Sequence, residues 1–300
     1  MASHSVVCVV ETADIVGESL VWSAAEQALW WVDIVGRRIH RFEPESGAHA
    51  AWPIPDFPTS IGLRHAGGFV VGLARHVALW APGGAFEPLA TLEPELPQNR
   101  LNEGRVGPDG CFWVGTMQNN INVDGSPKDI SRASGAIHRV HPDGRVDTLT
   151  ANDIGIVNGF AWTDDGRLLT ADTLRNELYA WHWDQGVGRL SHRAVFGTPF
   201  ARGLPDGSCM DAQGFLWNCR VAGGGCIVRF AADGRVDRVV DLPCSWPTSC
   251  TFGGPNLTTL YVTSARFTMS AAHLDAVPQE GALFAFDAGV PGRPEHLFAG

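Results

Sequence analysis

Three oxygen-bearing side chains stand at the starts of apolar segments that lie far apart in the sequence: Glu18, Asn158 and Asp206. They offer two carboxylates and one amide oxygen, and no histidine joins them. Such hard ligands suit Ca²⁺, Mg²⁺ or Mn²⁺ and leave positions for water and substrate, with Zn²⁺ and Fe²⁺ as open alternatives. A fold that brings the three residues together would therefore hold one divalent metal ion.

A fourth segment start contributes Asn102, with Arg100 two residues before it. A guanidinium at this place could hold oxygen atoms of a polar substrate. The case for Asp206 depends on its context, because Pro-Asp-Gly by itself is typical of a turn. Three similar sequences fall between predicted strands and are interpreted as turns only: residues 108–110, 142–144 and 164–166.

The elements that must position these residues form six copies of one pattern. A short apolar segment follows turn residues in each copy, at residues 29–34, 68–73, 111–116, 167–172, 215–220 and 259–264. A second apolar segment follows it, a third precedes it, and a short fourth strand ends the unit. This loose period is near the length of a four-stranded propeller blade. The sequence therefore predicts an all-β fold, a six-bladed β-propeller with four-stranded antiparallel blades around a central channel, as one domain over residues 1–300.

The apolar segment at residues 6–10 has no place in the first unit. We expect it to close the ring by pairing in the last blade.

The first strand of each blade lines the channel of a propeller, so its starting residues form a ring at one mouth. The members of this ring can be predicted by counting. In each of the five apolar segments after the first, the residue eleven positions before the third residue is taken. These residues are Thr59, Asn102, Asn158, Asp206 and Cys250. Two extra residues in the first blade bring Glu18 into the same ring. The predicted metal ligands thus converge although they are distant in sequence.

Composition excludes several classes of function. The net charge of −10 and pI near 5.5 argue against a nucleic-acid-binding face. No apolar stretch is long enough for a membrane span, and the first residues do not resemble a signal peptide. Seven cysteines, an odd number without Cys-x-x-Cys, favour reduced thiols and a cytoplasmic location. We expect a monomer or a small homo-oligomer.

The eleven histidines show no spacing typical of zinc sites. His40 and His138 occupy matching places in two units, and both are interpreted as structural residues.

Eight segments resemble, in order, those of the SMP-30/gluconolactonase/regucalcin family, over about residues 16 to 266. They are Val16-Gly-Glu-Ser-Leu-Val-Trp22, Trp31-Val-Asp-Ile34, Arg100-Leu-Asn-Glu-Gly104, Phe112-Trp-Val-Gly-Thr-Met117, Asn158-Gly-Phe-Ala-Trp162, Leu204-Pro-Asp-Gly207, Phe252-Gly-Gly-Pro255 and Leu260-Tyr-Val-Thr-Ser264. The resemblance implies a six-bladed propeller with one divalent metal. It is nearest to bacterial sugar lactonases of carbohydrate catabolism.

The family's metal ligands carry over to Glu18, Asn158 and Asp206, and its substrate-binding residues to Arg100 and Asn102. Two departures affect the expected substrate. Glu103 stands where the family often has aspartate, and the family's glutamate after Gly-Thr-Met is replaced by the stretch 118–120. We expect Asn120 of that stretch to contact substrate.

The reaction that the resemblance implies is the addition of water to a sugar lactone, which yields an aldonic acid. A divalent metal would supply a Lewis acid for the lactone carbonyl, and Asp206 would accept a proton from the attacking water. Arg100 and Asn102 would orient the sugar hydroxyls. No organic cofactor is implied.

Two alternatives stay open at this point. The same scaffold could hydrolyse phosphotriesters or aryl esters, or it could be a non-catalytic calcium-binding regulatory propeller.

Overall fold

The computed structural model describes residues 5–198 and 200–300. These residues form six four-stranded antiparallel sheets arranged as the blades of a β-propeller, with one short helix, α1 (Ala271–Ala276). The predicted six-bladed propeller is confirmed. No helix among the described residues is long and apolar enough to cross a membrane.

The first three blades follow the sequence without interruption. Blade 1 contains β2 (Gly17–Ser23), β3 (Ala28–Asp33), β4 (Arg38–Glu43) and β5 (Ala48–Pro53). Blade 2 contains β6 (Ser60–Leu63), β7 (Phe69–Gly72), β8 (His76–Trp80) and β9 (Glu87–Thr91). Blade 3 contains β10 (Asn99–Val106), β11 (Phe112–Gln118), β12 (Ile137–Val140) and β13 (Val146–Thr148).

The other three blades include one strand from the beginning of the chain. Blade 4 contains β14 (Val157–Trp162), β15 (Arg167–Asp172), β16 (Glu177–Asp184) and β17 (Arg189–Val195). Blade 5 contains β18 (Leu204–Met210), β19 (Leu216–Val221), β20 (Cys226–Phe230) and β21 (Val236–Asp241). Blade 6 contains β22 (Pro247–Gly253), β23 (Thr259–Ser264), β24 (Leu283–Asp287) and β1 (Val7–Val10).

The strand β1 closes the ring, as predicted. It pairs antiparallel with β24, with Val7 opposite Ala285 and Cys8 opposite Phe284. Blade 6 therefore joins residues from the two ends of the described chain.

Burial decreases from the inner to the outer strands of a blade. All residues of β2 and β3 are buried, whereas β5 is mostly exposed. The second strands of the blades, such as β3 and β7, are packed on both faces by neighbouring blades, which explains their mostly apolar sequences. Clusters of aromatic side chains fill the spaces between blades. The Trp30 ring of blade 1 lies 4.5 Å from that of Phe69 in blade 2. Tryptophan side chains thus contribute to the core between blades.

The inner strands β2, β10, β14, β18 and β22 each contain a β-bulge near the same end. Glu18 and Asn158 are the last residues to pair with the next strand before the bulge. Asn102 and Asp206 lie one position further, within the bulge itself. A bulge leaves residues unpaired and changes the direction of their side chains, so residues from both positions can face the same cavity.

The eleven-residue count was wrong for two positions of the predicted ring. Cys250 lies beyond the bulge of β22 and is buried in the core, with its Sγ 3.5 Å from that of Cys209. Thr248 occupies the mouth position instead. Thr59, just before β6, is also buried and donates its backbone N–H to Gly72 O. A count along one strand cannot detect a bulge, because the bulge is defined by pairing with a second strand.

Candidate functional site

A cavity of about 490 Å³ opens at the end of the channel where the bulges lie. Its walls come from inner strands of several blades and from the loops that follow them. The structure brings all six predicted site residues into this wall: Glu18, Arg100, Asn102, Asn120, Asn158 and Asp206.

A chain of buried hydrogen bonds orients the amide groups of the cavity. Arg100 Nη1 donates to Asn102 Oδ1 at 2.8 Å, and Asn102 Nδ2 donates to Asn158 Oδ1 at 2.7 Å. Asn158 Nδ2 then donates to Thr173 Oγ1 at 2.8 Å, and the Thr173 hydroxyl donates to Pro205 O at 2.8 Å. A guanidinium has no acceptor, so the direction of the whole chain is determined.

This direction has a chemical consequence for Asn158. Its nitrogen is held by Thr173, and its oxygen faces Asn102 on the cavity side. An amide oxygen has two lone pairs, of which Asn102 uses one. The second lone pair can bind a cation.

Asn102 donates both amide hydrogens within the protein, to Asn158 Oδ1 and to Val157 O. It therefore links Arg100 to Asn158.

Thr173 was missed by the sequence analysis. It follows directly after β15 and has no motif of its own, so only pairing between strands reveals it.

Two buried carboxylates complete this part of the cavity. Burial raises the pKa of Glu18 well above its usual range, and repulsion from the charges of Asp206 and Glu103 raises it further. The pKa of Asp206 is raised in the same way, first by burial and then by Glu103, while Arg100 opposes the shift. Asp206 Oδ1 has no hydrogen-bond partner in the part of the chain that the structure describes.

These donors fit a divalent cation. A cation between the two carboxylates would replace their repulsion with attraction, and would give the unpaired Asp206 Oδ1 a partner. Together with Asn158 Oδ1 the set is all oxygen, which matches the preference of hard cations.

Arg100 links these donors to the loop after β11. Its Nε and Nη2 donate to Asn120 Oδ1 at 3.1 and 2.9 Å. Burial lowers the pKa of Arg100 to about 10, so the guanidinium stays charged at neutral pH. A buried cation in the wall favours a substrate with oxygen acceptors.

Glu103, the departure from the family pattern, lies in the same bulge as Asn102. Burial raises its pKa to about 7, while Arg105 lowers it. Its Oε2 has no hydrogen-bond partner within the described residues. The replacement of aspartate by glutamate thus retains a carboxyl group and extends it by one methylene.

The loop after β11 also adds residues that the sequence analysis did not single out. Lys128, the only lysine of the chain, is exposed at the cavity, and its backbone N–H donates to Asn120 O at 2.8 Å. The sequence could have pointed to Lys128, because it is one lysine among 22 basic residues, the others being arginines. Much of the remaining wall is apolar, with Met117, Ile156, Trp246 and Phe267 among its residues.

The aspartates interpreted as turn residues do lie in turns. Residues 108–110, 142–144 and 164–166 connect strands, and Asp143 is exposed, whereas Asp206 is buried in β18. The distinction between Asp206 and a turn aspartate is therefore confirmed.

A second cavity, of about 460 Å³, lies at the opposite ends of the inner strands. Its charged side chains pair with one another. Arg105 Nη2 donates to Glu295 Oε1 at 2.6 Å, and Arg293 Nη2 donates to Asp164 Oδ2 at 2.8 Å. The unpaired carboxylate oxygen of Asp206 makes the first cavity the candidate active site.

The sequence matches the family described as SMP-30/Gluconolactonase/LRE-like region over residues 16–266. The chain belongs to this family. The 6-deoxy-6-sulfogluconolactonase of Pseudomonas putida is 37% identical over 298 residues, which cover 98% of each chain. Pentonolactonase XacC of Haloferax volcanii is 34% identical over 294 residues, or 96% of each chain.

A solved structure supports the same relationship. The calcium-binding protein regucalcin from Agrobacterium tumefaciens superimposes with a TM-score of 0.89 at 29% identity, covering 99% of each chain. The resemblance found in the sequence is confirmed over nearly its whole length.

Proposed function

We propose that this member of the SMP-30/gluconolactonase family is a lactonase that hydrolyses a sugar lactone to the aldonic acid, with one divalent metal ion held by Glu18, Asn158 and Asp206. Relatives that match nearly the full chain carry the names of sugar lactonases. The observation that carries the metal site is that hydrogen bonds fix Asn158 Oδ1 as an acceptor in the same cavity wall as the buried carboxyl groups of Glu18 and Asp206.

The metal, when bound, supplies a Lewis acid for the lactone carbonyl. Asp206 is also the group that we propose to accept a proton from the attacking water, because it is a buried carboxyl group in the cavity wall. Arg100 binds and orients substrate oxygens, since its guanidinium is held at the wall by Asn102 and Asn120. The acyl–oxygen bond of the ring breaks, and lactone plus water becomes a hydroxy acid, which releases its proton at neutral pH.

The substrate is a lactone with several oxygen acceptors, and the cavity also suits an anionic substituent. Arg100 and Lys128 are cations in its wall, and the name of the P. putida relative specifies a sulfonated sugar lactone. Gluconolactone, a pentonolactone and 6-deoxy-6-sulfogluconolactone therefore form the substrate panel.

Calcium is the metal that we propose for this site, because its donors are all oxygen and the regucalcin structure is described as that of a calcium-binding protein. We also propose a cytoplasmic location. All seven cysteines lie in the described part of the chain and none forms a disulfide, which favours a reducing compartment.

The decisive experiment compares Asp206→Asn with Asp143→Asn. The first variant keeps an oxygen that can bind metal but removes the proton acceptor, so we expect weaker metal binding and a loss of about 10²–10⁴-fold in kcat at saturating metal. Asp143, exposed in a turn of the same local sequence, is the matched control and should leave turnover near wild type.

Chelation tests the metal separately. Metal-free protein should lose turnover and regain it with added Ca²⁺. Full turnover without metal would refute the metal mechanism, and equal activity of the two aspartate variants would refute the role of Asp206.

A further inference from the structure

Two carboxylates and one imidazole meet in blade 1, outside the wall of the channel cavity. Asp14 precedes β2, Asp33 ends β3 and His40 lies in β4. Their ligand atoms all lie within 4.8 Å of one another, and each residue is at most 2% exposed. No step of lactone hydrolysis uses them.

Two atoms of this cluster face each other without a hydrogen bond. Asp14 Oδ1 lies 3.4 Å from His40 Nε2, and neither atom has a hydrogen-bond partner among the described residues. Leaving such buried polar atoms unpaired is costly, so each calls for an explanation.

His138, the counterpart of His40 in blade 3, shows how a structural histidine is satisfied. Its Nε2 lies 3.1 Å from Glu93 Oε1 and its Nδ1 lies 3.1 Å from Thr148 Oγ1. Both of its ring nitrogens are therefore paired. In blade 1, by contrast, His40 Nε2 lies opposite Asp14 and has no hydrogen bond among the described residues.

The tautomers of His40 do not remove the problem. His40 Nδ1 lies 3.0 Å from His49 Nε2. With the proton on Nδ1, an ionised Asp14 places two lone pairs against each other at His40 Nε2 and Asp14 Oδ1. A protonated Asp14 would have to donate to Nε2 across 3.4 Å, which is longer than a good hydrogen bond. With the proton on Nε2, the contact of 3.4 Å to Asp14 is longer than a good hydrogen bond. A cation bound between His40 Nε2 and Asp14 Oδ1 would give each of these atoms a partner.

The other groups of the cluster are arranged as the surroundings of a metal ligand usually are. Trp31 Nε1 donates to Asp14 Oδ2 at 2.7 Å and orients that carboxylate. Asp33 is held by the backbone N–H groups of Ile15, Val16 and Gly36. Contacts of this kind hold ligands in place and tune their basicity.

The charge states of Asp14 and His40 also favour a bound cation. Burial, and then the charge of Asp33, raises the pKa of Asp14, whereas burial lowers the pKa of His40 to about 3. A neutral imidazole is the form that binds metal, and a divalent ion would stabilise the charged form of Asp14.

We propose that Asp14, Asp33 and His40 bind a second divalent ion of the zinc type. Zinc bonds of about 2.0–2.1 Å in a tetrahedron separate neighbouring ligand atoms by roughly 3.4 Å. The distance between His40 Nε2 and Asp14 Oδ1 is 3.4 Å. The mixed nitrogen and oxygen donors distinguish this site from the all-oxygen channel site.

The ion would join three parts of blade 1. Asp14 belongs to the segment that leads into β2, which carries Glu18, while Asp33 and His40 belong to β3 and β4. The zinc site therefore acts as a structural clamp on the strand that supplies a ligand of the channel site.

The test measures Zn²⁺ binding by calorimetry in the full chain, with the channel site saturated by Ca²⁺. Wild type should bind one Zn²⁺ per chain and show a higher Tm, and Co²⁺ in its place should give the visible spectrum of a tetrahedral nitrogen–oxygen site. Asp14→Asn should weaken Zn²⁺ binding by more than the roughly 10- to 100-fold typical of losing an outer partner.

Asp14→Asn is chosen because the metal-free protein should still fold. Its amide oxygen can accept from Trp31 and its nitrogen can donate to His40. His40→Gln is the second variant, and His138→Gln is the matched control that should retain Zn²⁺ binding. No Zn²⁺ uptake by the Ca²⁺-saturated wild type, or equal uptake by wild type and Asp14→Asn, would overturn the proposal.

Discussion

Thr173 is the residue whose replacement tests the hydrogen-bond chain most directly. Thr173→Val keeps the shape of the side chain but removes the acceptor of Asn158 Nδ2 and the donor to Pro205 O, at 2.8 Å each. The three residues are buried. An unpaired buried group costs about 1–3 kcal/mol, so two such groups should cost about 2–6 kcal/mol of unfolding free energy.

The site should be affected in addition to the stability. Without Thr173 the amide of Asn158 keeps only its hydrogen bond from Asn102, so its oxygen is held in place less firmly. Loss of a partner that orients a ligand typically costs about 10- to 100-fold in metal affinity. Calorimetry with Ca²⁺ measures the affinity, and kcat at saturating Ca²⁺ should recover most of its wild-type value.

Thr170→Val is the matched control. Thr170 is equally buried in β15, and its Oγ1 accepts a hydrogen bond from Trp181 Nε1 at 2.9 Å, away from the cavity. This variant should lose stability but keep its affinity for Ca²⁺. If both variants lose similar stability and Thr173→Val binds Ca²⁺ as wild type does, Thr173 has no positioning role.

Three further predictions concern charge. Arg100→Ala should lower kcat/KM by about 10- to 100-fold, because a hydrogen bond to a charged group is worth about that factor. Its loss of metal affinity by calorimetry should be smaller than that of Thr173→Val, since Arg100 reaches Asn158 only through Asn102; a large loss of metal binding with normal turnover would contradict this. Lys128→Ala should raise KM for 6-deoxy-6-sulfogluconolactone more than for gluconolactone in steady-state assays, and an equal effect on both would exclude an anion-binding role for Lys128. Because Glu18 and Asp206 have raised pKa values, the metal-free native state binds more protons than the unfolded state above about pH 4, and its stability should fall as pH rises. The Tm gain on adding Ca²⁺ should therefore be larger at pH 8 than at pH 5.5, and a gain independent of pH would show that these carboxyl groups are ionised before metal binds.

The propeller was predictable because its evidence repeats. One apolar segment such as residues 111–116 is ambiguous, but six of them at similar intervals, each with partners before and after, leave few other folds. The same repetition separated Asp206 from Asp143, although both occur in Pro-Asp-Gly sequences. Position in a repeat thus carries information that a local motif lacks.

The parts that could not be predicted depend on contacts between strands. The bulges shift the register after Glu18 and Asn158, so the residue at the mouth of β22 is Thr248 and not Cys250. Thr173 acts only through its hydrogen bond to Asn158. These features become visible only when two strands are placed side by side.

Ring closure by β1 has a consequence for the order of events during synthesis. The partner of β1 is β24, so the first strand must wait until the chain has left the ribosome as far as Asp287. Until then the early blades form an open arc with unpaired edges, which are prone to associate with other chains. Contacts between such distant residues also form slowly. Deleting β1 would leave the edge of β24 unpaired, so aggregation of the nascent or truncated chain should be a greater hazard than local unfolding of the finished ring.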